Sequence, residues 1–155
     1  MKTFKTIWLG LLLFSVASCT VVKKSVSEKK TIQQKIESKD FTFFVDRCLP
    51  TGLEISTFNS DVNIKIKNET AYGNLPFHGL LNVNPQEMTE GPISFNGPMK
   101  GYTMTHDSKG WRILFKIVSD PYIYQVDMTI STDAKAIVKV TSTKRSTMTY
   151  FGEVD

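Results

Sequence analysis

Apolar residues recur with period two from Phe41 to the C-terminus, which predicts an all-β domain: an antiparallel meander of about eight to nine strands forming a curved sheet, small barrel or sandwich. Two further observations support this class. When the strands of residues 100–155 are laid against one another, the apolar partners stay on one face through every turn, as a meander requires. Short polar or glycine-containing turns separate the runs, and the 155 residues suit one domain.

The chain opens on Lys2 and Lys5, followed by an uncharged apolar run from Ile7 to Cys19. That run is too short for a bilayer-spanning helix of roughly 20 residues, and small residues close it, which is secretory-signal anatomy. Its last residues, Val16-Ala17-Ser18-Cys19, resemble a bacterial lipobox. The resemblance implies a signal peptide over residues 1–18, cleavage ahead of Cys19 and diacylation of its thiol. A cleavable signal without lipid and an uncleaved anchor are the alternatives. Thr20-Val21-Val22-Lys23-Lys24 contains neither an aspartate of the inner-membrane retention type nor an acidic export cluster, so the expected address is the periplasmic side of the outer membrane.

Charge separates the tether from the body. The net charge is +4, yet residues 19–40 hold six lysines against three acids while residues 41–155 hold 11 basic and 12 acidic residues. Tether lysines beside a strongly anionic membrane surface each add up to about 1 kcal/mol of attraction. A nucleic-acid partner is not expected from this balance together with an export signal. With Cys19 committed to the anchor, Cys48 has no intramolecular partner, and burial is its expected state over an intermolecular disulfide or a reactive thiol.

In residues 19–40, Ser25-Val26-Ser27-Glu28 fits a capping box and Ile32 and Ile36 form an i,i+4 pair, predicting a spacer helix from about Val26 to Ser38, with a disordered tether as the alternative. Residues 41–155 form the single β domain. Its first strands read FTFFVDRCL, LEISTF, DVNIKIKN and ETAYGNL; in the third, Val62, Ile64 and Ile66 alternate with Asn63, Lys65 and Lys67. Residues 76–98 carry four prolines with Gly79, Gly91 and Gly97, predicting a long irregular segment with at most a short strand from Ile93 to Phe95. Beyond it, His106 is set opposite Trp111, Met104 opposite Ile113 and Tyr102 opposite Phe115. A turn at Ser119-Asp120 then pairs Ile117 with Tyr122 and Phe115 with Tyr124. A loop at Ser131-Thr132-Asp133 pairs Met128 with Ala136, and Tyr150 returns against Val138. The reverse face holds Leu114, Val118, Ile123 and Ile137 among charged residues, and this apolar content predicts that something covers part of it.

Leu75-Pro76-Phe77-His78-Gly79, Gly91-Pro92-Ile93-Ser94-Phe95 and Thr149-Tyr150-Phe151-Gly152-Glu153 resemble the motifs of a family of small envelope lipoproteins, domain of unknown function family 4251. The likeness extends from about Phe41 to Asp155. Two departures stand out, His78 where an aromatic is usual and Asn84-Pro85-Gln86-Glu87 in place of part of a glycine run. The resemblance implies an antiparallel β domain on a lipid anchor and brings no activity with it.

Catalytic and metal signatures are absent from the sequence. His78 and His106 stand far apart without Cys or HxH-type partners, so no metal site is expected, and no motif calls for a cofactor. His106-Asp107 has the composition of an oriented base, but a ring packed on Trp111 at the strand end explains it without catalysis and is the expected reading. The aromatics Tyr102, Phe115, Tyr122, Tyr124 and Tyr150 are expected in the core. The expected function is a non-catalytic binding or structural module of the envelope, whose partner is an envelope protein or a hydrophobic small molecule. An envelope hydrolase built around His78 is the alternative. The segment from Leu75 to Pro98 is the expected recognition element, with Phe77 and His78 as contact residues; its folding back as a lid over the sheet is the competing expectation.

Overall fold

The computed structural model describes residues 31–50, 56–58, 62–80 and 91–155. The signal peptide, Cys19, the Ser25 capping box and residues 81–90 lie outside the described residues.

Ten strands follow one helix, α1 over residues 31–37: β1 (Asp40–Pro50), β2 (Ser56–Thr57), β3 (Asn63–Lys67), β4 (Thr70–Leu75), β5 (Ile93–Pro98), β6 (Lys100–Asp107), β7 (Gly110–Ser119), β8 (Tyr122–Ser131), β9 (Lys135–Ser142) and β10 (Met148–Val154). They form one antiparallel sheet in the order β5-β4-β3-β1-β10-β9-β8-β7-β6, with β2 added on β1. The sheet curls into a nearly closed barrel. The Ser119 hydroxyl of β7 donates to the Ser94 carbonyl of β5 at 3.2 Å, and the Phe95 and Tyr124 rings meet at 5.9 Å. Met99 alone links β5 to β6, so the chain passes directly from one margin of the sheet to the other.

Strand alternation fills the interior. Tyr124, Tyr150, Phe43, Phe95 and Phe115 are the largest fully buried side chains, with Ile64, Ile66, Ile113, Val126, Met128 and Val138 around them. Burying one such aliphatic contributes about 1.5–3 kcal/mol. The expected aromatic core is therefore present, although Tyr102 and Tyr122 are only partly buried. In β1 a bulge between Val45 and Arg47 inserts one residue, so that Val45 and Cys48, three apart, both face inward. Cys48 is buried, and that burial pushes its thiol pKa up.

Several expectations need correction. The irregular segment contains a full strand, β5, which pairs with β4 from Leu75↔Ile93 to Thr70↔Pro98; Pro98 is tolerated because β5 is marginal and its outer side needs no donor. The β6–β7 pairs His106↔Trp111 and Met104↔Ile113 and the β9–β10 pair Tyr150↔Val138 stand as expected. The β7–β8 register is Ile117↔Tyr124 and Phe115↔Val126, and the β8–β9 register is Met128↔Val138 and Ile130↔Ala136, each displaced by two residues. The turn is Asp120-Pro121, flanked by the pair Ser119↔Tyr122, and the next loop is Thr132 to Ala134, with Ala134 at φ +69°. A displacement of two leaves every side chain on its own face, which is why the core assignment survives. On the reverse face Leu114 is partly buried, whereas Val118, Ile123 and Ile137 are each close to half exposed among the described residues.

Helix α1 is docked rather than a free spacer. Ile36 is fully buried and Ile32 packs against the core. Lys39, at φ +52°, ends the helical turn and its carbonyl accepts from the Asn68 amide at 2.8 Å. This is the helix end of the barrel. The far end of β1, about 35 Å away along an 11-residue strand, is the rim end.

Candidate functional site

The rim end is organised around Arg145, in the loop between β9 and β10. The residue is 3% exposed. Its Nη1 donates to the carbonyls of Gly91 at 2.8 Å and Pro92 at 3.2 Å, and its Nη2 donates to the Tyr122 hydroxyl at 3.0 Å. The guanidinium also lies 4.9 Å from the Phe77 ring centroid and 4.4 Å from that of Tyr122. Among the described residues no carboxylate pairs with it, and Nε has no partner. Two aromatic faces and two carbonyl dipoles thus carry what a buried cation normally takes from an acid.

Its neighbour Ser146 holds the other side of the same segment. The Ser146 amide donates to the Leu80 carbonyl and the Leu80 amide donates to Ser146 Oγ, both at 2.9 Å. Gly79 is required here because a Cβ would run into Ser146 Oγ and the Phe77 ring. Further in, the Tyr150 hydroxyl donates to the Pro76 carbonyl at 2.8 Å. Burial pushes that hydroxyl's pKa far above its ordinary value, with Cys48 and Tyr124 adding to the rise. Residues 75–80 are thereby held at Pro76, Phe77 and Leu80 and form a plate at the rim.

The plate sorts its side chains. Phe77 is half-buried between Arg145 and the core, so it belongs as much to the packing as to the surface. His78 is exposed and stacks on Phe58, centroids 5.9 Å apart and planes 10° apart. Leu80 is 72% exposed. Among the described residues the ring partner of His78 is Phe58. Of the segment from Leu75 to Pro98, residues 75–80 are held against the β9–β10 loop and present His78 and Leu80 outward, and residues 81–90 lie outside the described residues.

His106 lies at the other end of the molecule. It stacks on Trp111 at 4.7 Å and 6°. Asp107 does not orient it: the carboxylate accepts from the backbone amides of Lys109 at 2.7 Å and Gly110 at 3.2 Å, which closes the hairpin turn. An open groove of about 400 Å³ lies beside this hairpin, lined by His106, Lys109, Trp111 and Ile130 among others. Among the described residues no three His, Cys, Asp or Glu side chains gather to hold a metal ion. Sequence reasoning missed Arg145, which reads there as one of two basic residues in a loop; its aromatic partners are 23 and 68 positions away and carry no local signal.

A nearly closed antiparallel barrel with aromatic and aliphatic side chains packed inside, a helix at one end and an arginine-held plate at the other, defines a small β-barrel domain. The chain belongs to the family described as Domain of unknown function (DUF4251), whose model matches residues 23–154. It is similar in fold to the crystal structure of a DUF4251 family protein from Bacteroides eggerthii DSM 20697, with a TM-score of 0.66 and 14% identity over 83% of this chain and 87% of that one. No curated protein matches the chain.

Proposed function

We propose that the protein is a lipid-anchored module of the outer membrane, facing the periplasm, that binds an envelope partner through the rim plate and performs no catalysis. The observation that carries this reading is the placement of the plate at the far end of β1 from the helix that leads to Cys19. A tether at the helix end places His78 and Leu80 at the opposite end of the domain from the anchor. The large aromatic side chains buried inside the barrel favour a contact at the surface over enclosure of a small molecule. The aromatic stack of His78 on Phe58 favours a contact surface over the hydrolase alternative around His78.

Two experiments test the reading. A photo-crosslinking side chain placed at His78 in the full chain should yield a discrete adduct in intact cells, and one placed at Lys65 on the barrel wall should not; equal labelling from both positions refutes the rim as the contact. Cys19→Ser should release the protein from membranes, because acyl chains contribute far more membrane affinity than the tether lysines. A processed Ser variant that still fractionates with membranes contradicts the anchor.

A further inference from the structure

The outward face of β7 to β9 carries charge that the fold does not neutralise. Lys100 lies directly opposite Lys116 across β6 and β7, and the same row continues through Gln125 and Thr141, so no acid stands in it. Like charges placed directly opposite in a sheet destabilise it, and among the described residues neither lysine forms an ion pair. In the next row Val118 faces Ile123, each 49% exposed. Lys139 faces Asp127, whose carboxylate is engaged by Arg112 at 3.0 and 2.7 Å, so this lysine gains little compensation. Of the other acids nearby, Glu69 accepts at its backbone carbonyl from the amide of Met99 beside Lys100, but its carboxylate is engaged by Lys39 at 2.7 Å; Asp120 lies in the β7–β8 turn and Glu153 stands opposite Lys135. The concentration is local, since residues 41–155 together hold 11 basic and 12 acidic residues.

A sheet that keeps an unfavourable pair of cations beside an uncovered aliphatic pair fits an anionic amphiphile. Lysine ammonium groups reach headgroup phosphates while their stems and the Val118–Ile123 pair enter the boundary of the acyl chains. A soluble polyanion would use the lysines and leave the aliphatics in water. We propose that this corner of the barrel wall, formed by Lys100, Lys116, Val118, Ile123 and Lys139, docks on an anionic phospholipid leaflet and so sets the orientation of the domain. The contact uses no side chain of the rim plate, although Ile123 adjoins Tyr122 and docking therefore brings the rim end beside the leaflet; it rests on the proposed function only for the membrane setting. A tether makes even a weak contact effective, because docking becomes intramolecular.

The test uses the full chain with Ile123→Trp as reporter, its emission taken as the difference from the parent chain so that Trp8 and Trp111 cancel. On vesicles of phosphatidylethanolamine with phosphatidylglycerol, the reporter emission shifts to the blue and is quenched by brominated acyl chains. On phosphatidylcholine vesicles it does not. Adding Lys100→Gln and Lys116→Gln abolishes the response while the melting temperature stays level or rises, since repulsion is relieved; that combination separates docking from unfolding. The inference is overturned by an equal shift on both vesicle types, by the same shift with dextran sulfate alone, or by a response that survives the two glutamines. An unshifted reporter on a chain that sediments with the vesicles overturns docking and leaves the anchor standing.

Discussion

At the helix end the barrel is covered by one fully buried aliphatic, Ile36, and flanked by ion pairs that stand in water, Lys35 with Asp155 at 2.9 Å and Lys39 with Glu69 at 2.7 Å. At the rim end a buried guanidinium reaches two carbonyls and a hydroxyl, a serine exchanges two hydrogen bonds with Leu80, and Tyr150 reaches Pro76. The contrast separates two ways of closing a barrel. Apolar docking with solvated charges tolerates change at the periphery, because exposed pairs contribute little. A buried polar clamp does not, because every donor removed strands an acceptor without water.

Substitutions should rank accordingly. Tyr150→Ala should have the largest effect, about 3–5 kcal/mol from lost packing, whereas Tyr150→Phe should cost about 1 kcal/mol for the bond to Pro76 alone; denaturant melts of the pair separate ring from hydroxyl. Arg145→Ala should follow at about 2–3 kcal/mol, because it strands the Gly91 and Pro92 carbonyls and the Tyr122 hydroxyl together. Arg145→Ala melting like the parent chain would remove the clamp from the account.

The rim end should also be the site of alkaline sensitivity. Burial raises the Tyr150 and Tyr124 hydroxyls above their ordinary value of 10.0 and the Cys48 thiol above 9.0. The folded protein therefore retains protons that the unfolded chain releases. Their contribution is fully present below about pH 9 and is lost as the pH rises from there through the raised values. Melting temperature followed upward from pH 8 should fall, and Tyr150→Phe should flatten the fall; a slope unchanged in that variant contradicts the assignment. The smallest effect belongs to the helix end, where Lys35→Ala should cost less than about 0.5 kcal/mol and vanish in high salt.

The same contrast bears on what the sequence discloses. The meander from β6 to β10 was legible because alternation repeats locally and each turn constrains the next pairing. The two-residue displacements arose at Asp120-Pro121 and Thr132 to Ala134, where loop length is set by backbone geometry that residue types indicate poorly. The family resemblance, drawn from Leu75-Pro76-Phe77-His78-Gly79 and Thr149-Tyr150-Phe151-Gly152-Glu153, agrees with the family match, and the structure shows why those segments occur together: Pro76 accepts from Tyr150. Arg145 was illegible because its surroundings are assembled from the residues after β4, those before β5 and the start of β8. The exposed Val118–Ile123 pair was misjudged because an apolar residue on a strand signals burial equally whether its face is covered or waiting for a partner.

Amide hydrogen exchange on the full chain tests the contrast between the ends most directly. The account predicts that the Leu80 and Ser146 amides exchange only through openings close in free energy to global unfolding, that Ser38 and Lys39 exchange through smaller local openings, and that Arg145→Ala lowers protection at the rim while leaving the helix end nearly unchanged. Rim amides exchanging as readily as those of the helix end in the parent chain, or an Arg145→Ala variant that loses protection uniformly, would contradict it.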